Sequence, residues 1–173
     1  MNVFLAHGAS GGVETMASYI EGLHRRGFNT KPVALPRGSA ERAIPHYLQQ
    51  SGSGVDVVIG GHSYGARVAS MIVADGRHRF GGLLLFSYPL HRPGFPDQRR
   101  TAHWPQIDCP VLLVSGTSDP FATGRLLEAE ARKLRRHEVV TIPGAGHGFK
   151  GAGLDAALDA AAAWLANVQL DGD

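Results

Sequence analysis

Four short segments carry most of the residues that could do chemistry. They are His7-Gly8-Ala9-Ser10-Gly11-Gly12, Gly60-Gly61-His62-Ser63-Tyr64-Gly65-Ala66, Gly116-Thr117-Ser118-Asp119-Pro120 and Pro143-Gly144-Ala145-Gly146-His147-Gly148. Each follows a short apolar run. Together they offer a hydroxyl, a carboxylate and an imidazole. A serine hydroxyl is a poor nucleophile until a base removes its proton. An imidazole titrates near working pH and can be that base. A carboxylate can hold the imidazole in the right tautomer and stabilise its charged form. Ser63, His147 and Asp119 fit these roles. Asp97 and Asp108 compete as the acid, but they lie in or beside a proline-rich stretch rather than just past an apolar run. The plainer alternatives are a turn-former before Pro120 for Asp119 and a solvated loop residue for His147.

The Gly-x-Ser-x-Gly spacing occurs twice, at Gly8–Gly12 and at Gly61–Gly65. In a chain with 23 Gly the pattern alone is weak, so context must choose. A nucleophile elbow needs a strand, a sharp turn and an immediate helix. Gly61–Gly65 runs straight into the apolar stretch Ala66–Ala74, whereas Gly11-Gly12 delays any helix after Ser10. Ser63 is therefore the expected nucleophile. The tetrahedral intermediate of acyl transfer carries an oxyanion. The backbone N–H of Tyr64 is the expected first donor, and the N–H of Ala9, with Ser10 as its neighbour in doubt, the second. His7 and His62 either buttress these loops or simply pack. A metal site from His7, His62, Asp119 and His147 lacks any His-x-x-x-His or Cys-x-x-Cys spacing, so no metal is expected. No phosphate-binding loop is present, and no cofactor is expected.

The elements that must position these residues are legible as periodicity. Strands are expected at Val3–Ala6, Lys31–Leu35, Val55–Ile59, Leu83–Phe86, Val111–Val114 and Val139–Ile142. Helical stripes run from Val13 to Leu23, weakly through Ile44, Tyr47 and Leu48, through Ala66–Ala74, from Leu127 to Leu134, and from Leu154 to Val168. Tyr88–Asp108 reads as a long loop with four Pro. The alternation predicts an α/β fold: a three-layer α/β/α sandwich on a mainly parallel six-stranded sheet. Ligands of such sheets bind outside the carboxyl ends of the strands, where all four segments fall.

The chain has 173 residues, the size of one domain, expected to span 1–173. Its formal net charge of +2 is too small to point to nucleic acid or a membrane. The lone Cys109 excludes an internal disulfide. No apolar run is long enough for a membrane span, and the first residues read as a strand rather than a leader. A cytoplasmic location is the default expectation.

The motifs resemble the α/β-hydrolase superfamily. More narrowly, they look like small, lidless bacterial hydrolases related to testis-expressed protein 30 and, more distantly, to dienelactone hydrolase. The resemblance rests on Leu5–Ala9, Gly61–Ser70, Tyr88-Pro89-Leu90-His91-Arg92-Pro93-Gly94, Arg100-Thr101-Ala102-His103, Gly116–Phe121 and His147-Gly148-Phe149-Lys150. It implies a minimal version of the fold without a cap domain. The chain departs from the family's eight strands by lacking the first two, at one sheet edge. An exposed edge invites a homodimer or cover by a loop. The implied activity is that of a serine hydrolase acting on a small or exposed ester or thioester through Ser63, Asp119 and His147. A non-catalytic interaction scaffold is the alternative, because fold does not fix function. Candidate substrate contacts are His7, Ser10, His62, Tyr88, His91, Arg92, Arg100 and Phe121. The cluster of Arg92, Arg99, Arg100, His91 and His103 suggests a preference for an anionic acyl group.

Overall fold

The computed structural model describes residues 1–171, with side chains to Val168, so the last two residues of the expected domain lie outside the described residues. In chain order the elements are β1 (Asn2–Ala6), α1 (Ala17–Arg25), β2 (Asn29–Val33), α2 (Ala40–Ser51), β3 (Gly54–His62), α3 (Tyr64–Ala74), β4 (Phe80–Phe86), β5 (His91–Arg92), β6 (Phe95–Arg99), β7 (Val111–Gly116), α4 (Gly124–Ala131), β8 (His137–Ile142) and α5 (Gly151–Asp171). Short 3-10 turns cover Val13–Met16 and Trp104–Gln106.

Six strands form one sheet in the order β2-β1-β3-β4-β7-β8, and every neighbouring pair is parallel. The central strands are apolar on both faces because both faces are covered. Successive residues point to opposite sides, so Ile59, Leu83, Leu85 and Leu113 pack towards Tyr47 of α2, Val68 and Ile72 of α3, and Leu127 of α4. Val58, Leu84, Phe86 and Val114 pack the other way, against Leu23 of α1 and Leu158, Trp164 and Leu165 of α5. The result is the three-layer arrangement that the alternation predicts.

The strand order reverses between β1 and β3. From β1 the chain moves outward to β2, then returns past β1 to β3. Their two carboxyl ends therefore flank a crevice that no crossing connection fills. One loop with His7-Gly8-Ala9 leaves β1 there, and Ser63 leaves β3. Tyr47 of α2 pins the same pair of strands from below. Its buried hydroxyl lies 2.8 Å from the Phe4 carbonyl and 2.7 Å from the Gly60 carbonyl, and accepts the Gly60 N–H at 2.9 Å.

Several details depart from the expectation. The second strand is Asn29–Val33 rather than Lys31–Leu35, because pairing with β1 sets its register from Asn2↔Asn29 to Ala6↔Val33. The Leu35 N–H leaves the sheet altogether and donates to His7 Nε2 at 3.0 Å. The first helix begins with a 3-10 turn, and α1 proper starts at Ala17. The long loop after β4 is partly ordered structure: β5 and β6 form a hairpin about Pro93-Gly94, followed by the turn at Trp104–Gln106. β5 has only two residues and β6, which carries Pro and charge, is exposed along its whole length, so neither leaves a period to read. The sheet's open edges are β2 and β8, and β2 carries Lys31 and Pro32, which hinder pairing with another strand. No helix among the described residues is long and apolar enough to cross a membrane.

Candidate active site

A single residue separates β3 from α3, and it is Ser63. Its backbone takes φ 53° and ψ −108°, a conformation that L-residues adopt at a cost of about 1–3 kcal/mol. The surroundings hold it there. The Ser63 N–H donates to the Phe86 carbonyl at 3.0 Å, and the Ser63 carbonyl accepts the Arg67 N–H at 3.0 Å. The Gly65 N–H donates to the His7 carbonyl at 3.1 Å. A Cβ on Gly65 would collide with the Ala6 backbone, so only glycine lets α3 close onto the end of β1. The sharp turn lifts the Ser63 hydroxyl clear of the sheet.

The other two groups come from loops after β7 and β8. Asp119 lies one turn past β7 and its side chain is fully buried. Its Oδ1 accepts the Phe121 N–H at 2.8 Å, and its Oδ2 lies 2.9 Å from His147 Nδ1. A carboxylate can only accept, so Nδ1 carries the proton. His147 Nε2 is thereby left as an acceptor, and the Ser63 hydroxyl lies 2.8 Å from it. The structure thus brings together the three residues that the sequence singles out, each at hydrogen-bond distance from the next.

The loop bearing His147 contains Gly144, Gly146 and Gly148, a composition that suggests looseness. Its contacts fix it nonetheless. The Gly144 N–H donates to Thr117 Oγ1 at 2.8 Å, and the Ala145 carbonyl accepts the Ser118 N–H at 2.9 Å. At Gly116 a Cβ would strike the Ala145 carbonyl, so the glycine lets the acid-bearing and base-bearing loops touch. His62 supplies a further tie: its Nε2 lies 2.6 Å from the His147 carbonyl and donates to it. Burial lowers the pKa of His62, which favours its neutral ring.

A cleft of about 300 Å³ opens in front of Ser63. Ala9, Tyr64, Phe121 and His147 border it, as do Arg67 and Arg100. The Tyr64 N–H opens α3 and is among the donors a helix cannot satisfy internally. Ala9 lines the cleft across from it, while Ser10 is exposed and does not. Phe121 packs its ring edge-on to His147, with centroids 4.7 Å apart.

The remaining candidate contacts lie elsewhere. His7 is buried; its Nδ1 donates to the Gly8 carbonyl at 2.8 Å and its Nε2 accepts from Leu35, so it braces the loop after β1. Tyr88 is buried, and its hydroxyl donates to the Arg100 carbonyl at 2.6 Å. His91 is buried beside Phe121. The Arg92 guanidinium stacks over Phe95, 4.7 Å from the ring centroid. Arg99 lies 3.7 Å from Glu130. His103 accepts from or donates to Ser70 Oγ at 2.8 Å, and burial together with the Arg67 charge pushes its pKa down to about 4. The expected basic cluster is thus dispersed, with only Arg100 facing the cleft. Arg67 joins it from α3. The sequence held a signal for this, since a residue four positions past the nucleophile lies one helical turn away on the same face.

His7, His62, Asp119 and His147 do not converge on one point, and no group of three or more His, Cys, Asp or Glu among the described residues is placed to hold a metal ion. A second hollow, of about 280 Å³, lies at the opposite end of the strands, beside Phe80, Cys109 and Pro110. Burial pushes the Cys109 thiol up to about 12, so it stays protonated there.

Solved structures share this fold. The structure superposes on a monoacylglycerol lipase of Paleococcus ferrophilus with a TM-score of 0.79 and 16% identity, covering 96% of this chain and 94% of that one. It superposes on the ferulic-acid-bound protein Est1E of Butyrivibrio proteoclasticus at 0.82 and 16% identity, over 98% and 89% of the two chains. A predicted CIB-like hydrolase of Thermoplasma acidophilum matches at 0.76 and 18%, over 96% and 86%. Identities this low speak for the fold. The sequence itself matches, over residues 17–163, the family model described as an alpha/beta hydrolase domain. The chain belongs to the alpha/beta hydrolase domain family.

Proposed function

We propose that this protein is a serine hydrolase that cleaves small or exposed carboxylic esters or thioesters. The observation that carries this reading is the position of the Ser63 hydroxyl. It stands on a strained turn, 2.8 Å from the unprotonated nitrogen of His147, whose other nitrogen is 2.9 Å from a fully buried carboxylate. Geometry of this kind has little value for packing, and strain at a non-glycine residue persists only where the surroundings enforce it.

The chemistry follows from the contacts. Ser63 Oγ attacks the acyl carbon while its proton passes to His147 Nε2. The imidazolium so formed is stabilised by Asp119, which keeps its own charge. The carbonyl oxygen becomes an oxyanion facing the Tyr64 and Ala9 N–H groups. Collapse expels the alcohol or thiol, which takes the proton from His147, and leaves an acyl ester on Ser63. Water then attacks that ester, giving its proton to His147. The second collapse releases the carboxylic acid and returns the proton to Ser63 Oγ. One water is consumed and one acid and one alcohol or thiol are released.

The test is covalent. A fluorophosphonate probe is expected to label Ser63, identified by peptide mass. Labelling should vanish in Ser63→Ala and slow by several powers of ten in His147→Ala, as elsewhere when a member of such a unit is removed. Folded protein that takes no label between pH 6 and 9 would instead support a non-catalytic scaffold.

A further inference from the structure

The cleft in front of Ser63 contains two guanidinium groups and no carboxylate. Arg67 and Arg100 both border it, and its remaining lining is apolar or uncharged apart from His147. Neither arginine has an adequate partner among the described residues. Arg67 Nε is buried with no hydrogen-bond acceptor. The carboxylate of Glu41 lies 3.9 Å from Arg67 Nη2, at the outer limit of an ion pair, and the Glu41 side chain is 62% exposed. Burial, and after it the like charges of Arg67 and Arg92, lower the pKa of Arg100. Two like charges facing one partly dehydrated space repel each other unless an anion lies between them.

The scaffold nonetheless keeps both in place. Arg67 is anchored in the first turns of α3, one turn from Ser63. The backbone of Arg100 is fixed at both ends: its N–H donates to the Leu90 carbonyl at 2.9 Å, and its carbonyl accepts the buried Tyr88 hydroxyl at 2.6 Å. Other cations nearby turn to other groups. Arg99 faces Glu130, and Arg92 lies on Phe95. Arg67 and Arg100 are the cations that border the cleft.

We propose that the esters this site accepts carry a second group, a free carboxylate, which Arg67 and Arg100 bind beside Ser63. The proposal rests on the serine hydrolase reading above and names its substrate class. A planar carboxylate matches the fork of a guanidinium, and its charge would relieve the repulsion between the two arginines. With Arg67 one helical turn from the nucleophile, the carboxylate would lie a few bonds from the scissile carbonyl. The natural substrates would then be short half-esters or half-thioesters of dicarboxylic acids.

The experiment compares two ethyl esters of equal size. Monoethyl glutarate ends in a carboxylate, and ethyl 5-oxohexanoate ends in a neutral methyl ketone. Each charge-assisted contact is worth roughly tenfold, so the two together predict a kcat/KM about 100-fold higher for the glutarate ester at low salt. Raising ionic strength to about 0.5 M should shrink that ratio, because the Debye length falls well below 10 Å. Arg67→Gln and Arg100→Gln are each expected to lower the ratio by about tenfold. Should Arg67→Gln fail to fold, as circular dichroism would reveal, Arg100→Gln and the salt series on the unaltered protein still decide. A ratio near one, or turnover of neither ester, in protein whose Ser63 takes the fluorophosphonate overturns this inference and leaves the hydrolase reading standing. Absence of both labelling and turnover overturns both.

Discussion

At the scale of single residues, the site depends on supports as much as on the three reacting groups. His147 is oriented at its ring by Asp119 and at its backbone by His62, whose Nε2–H reaches the His147 carbonyl at 2.6 Å. The ring of His62 also fills the space beside Gly8, where a Cβ would crowd its Nδ1. One imidazole thus ties the loop after β8 to the loop after β1. Replacing it by a ring of similar size without a donor isolates the hydrogen bond. His62→Phe is expected to lower kcat on a short ester by about 10–100-fold, the scale of a displacement of about 1 Å in a reacting group. KM should change little, because His62 does not border the cleft. The rate of fluorophosphonate labelling should fall in parallel. Labelling at the unaltered rate would mean that the loop holds its position without His62.

At the scale of elements, the crevice exists because β1 and β3 are adjacent while the chain runs outward from each. Tyr47 of α2 secures that junction through one buried hydroxyl shared among Phe4 and both polar groups of Gly60. The Gly60 amide and carbonyl are three residues from Ser63, so a shift there is felt at the elbow. Tyr47→Phe leaves those groups buried without their partner. Urea unfolding should show a loss of about 1–3 kcal/mol, the cost of an unsatisfied buried polar group. A loss below about 0.3 kcal/mol would indicate that the strands are held without the hydroxyl. The segment between β4 and β7 belongs to this scale as well. Trp104 and Tyr88 are buried and pack edge to face with centroids 5.0 Å apart, which attaches the hairpin β5–β6 to the body of the protein. That attachment brings Arg100 to the cleft rim.

At the scale of the whole molecule, the same attachment makes stability sensitive to acid. His103 is held neutral against Ser70 of α3, with its pKa pushed down to about 4 by burial and by Arg67. The unfolded chain takes up that proton near pH 6.5. Between those values the unfolded state binds more protons than the folded one, so stability falls as pH falls through the window and is fully present above it. His62, also shifted down by burial, acts in the same direction. Thermal unfolding is therefore expected to move to lower temperature as pH drops from about 7 to 4. His103→Gln, which can still hydrogen-bond Ser70, should flatten part of that slope. A variant whose slope matches that of the unaltered protein would remove His103 from the explanation.

Periodicity in the sequence determined the six strands, the five helices and their alternation, because apolar residues on a fixed period have one stable way to be buried. The order Ser63, Asp119, His147 was legible for the same reason: each lies just past an apolar run, and parallel strands send all such loops to one end. The register of β2 was not legible, since it follows from pairing with β1 and from a histidine that takes the Leu35 N–H away. Nor was the hairpin after β4, because β5 has two residues and β6 buries none of its own. The basic residues near that loop formed a cluster in the sequence, yet side-chain packing separates them. Arg92 turns onto Phe95, Arg99 turns to Glu130, and Arg67 arrives from α3. Local pattern is enough to place a backbone element and the residue at its end. Which charges face the same space depends on contacts between segments distant in sequence, and only the tertiary structure decides those.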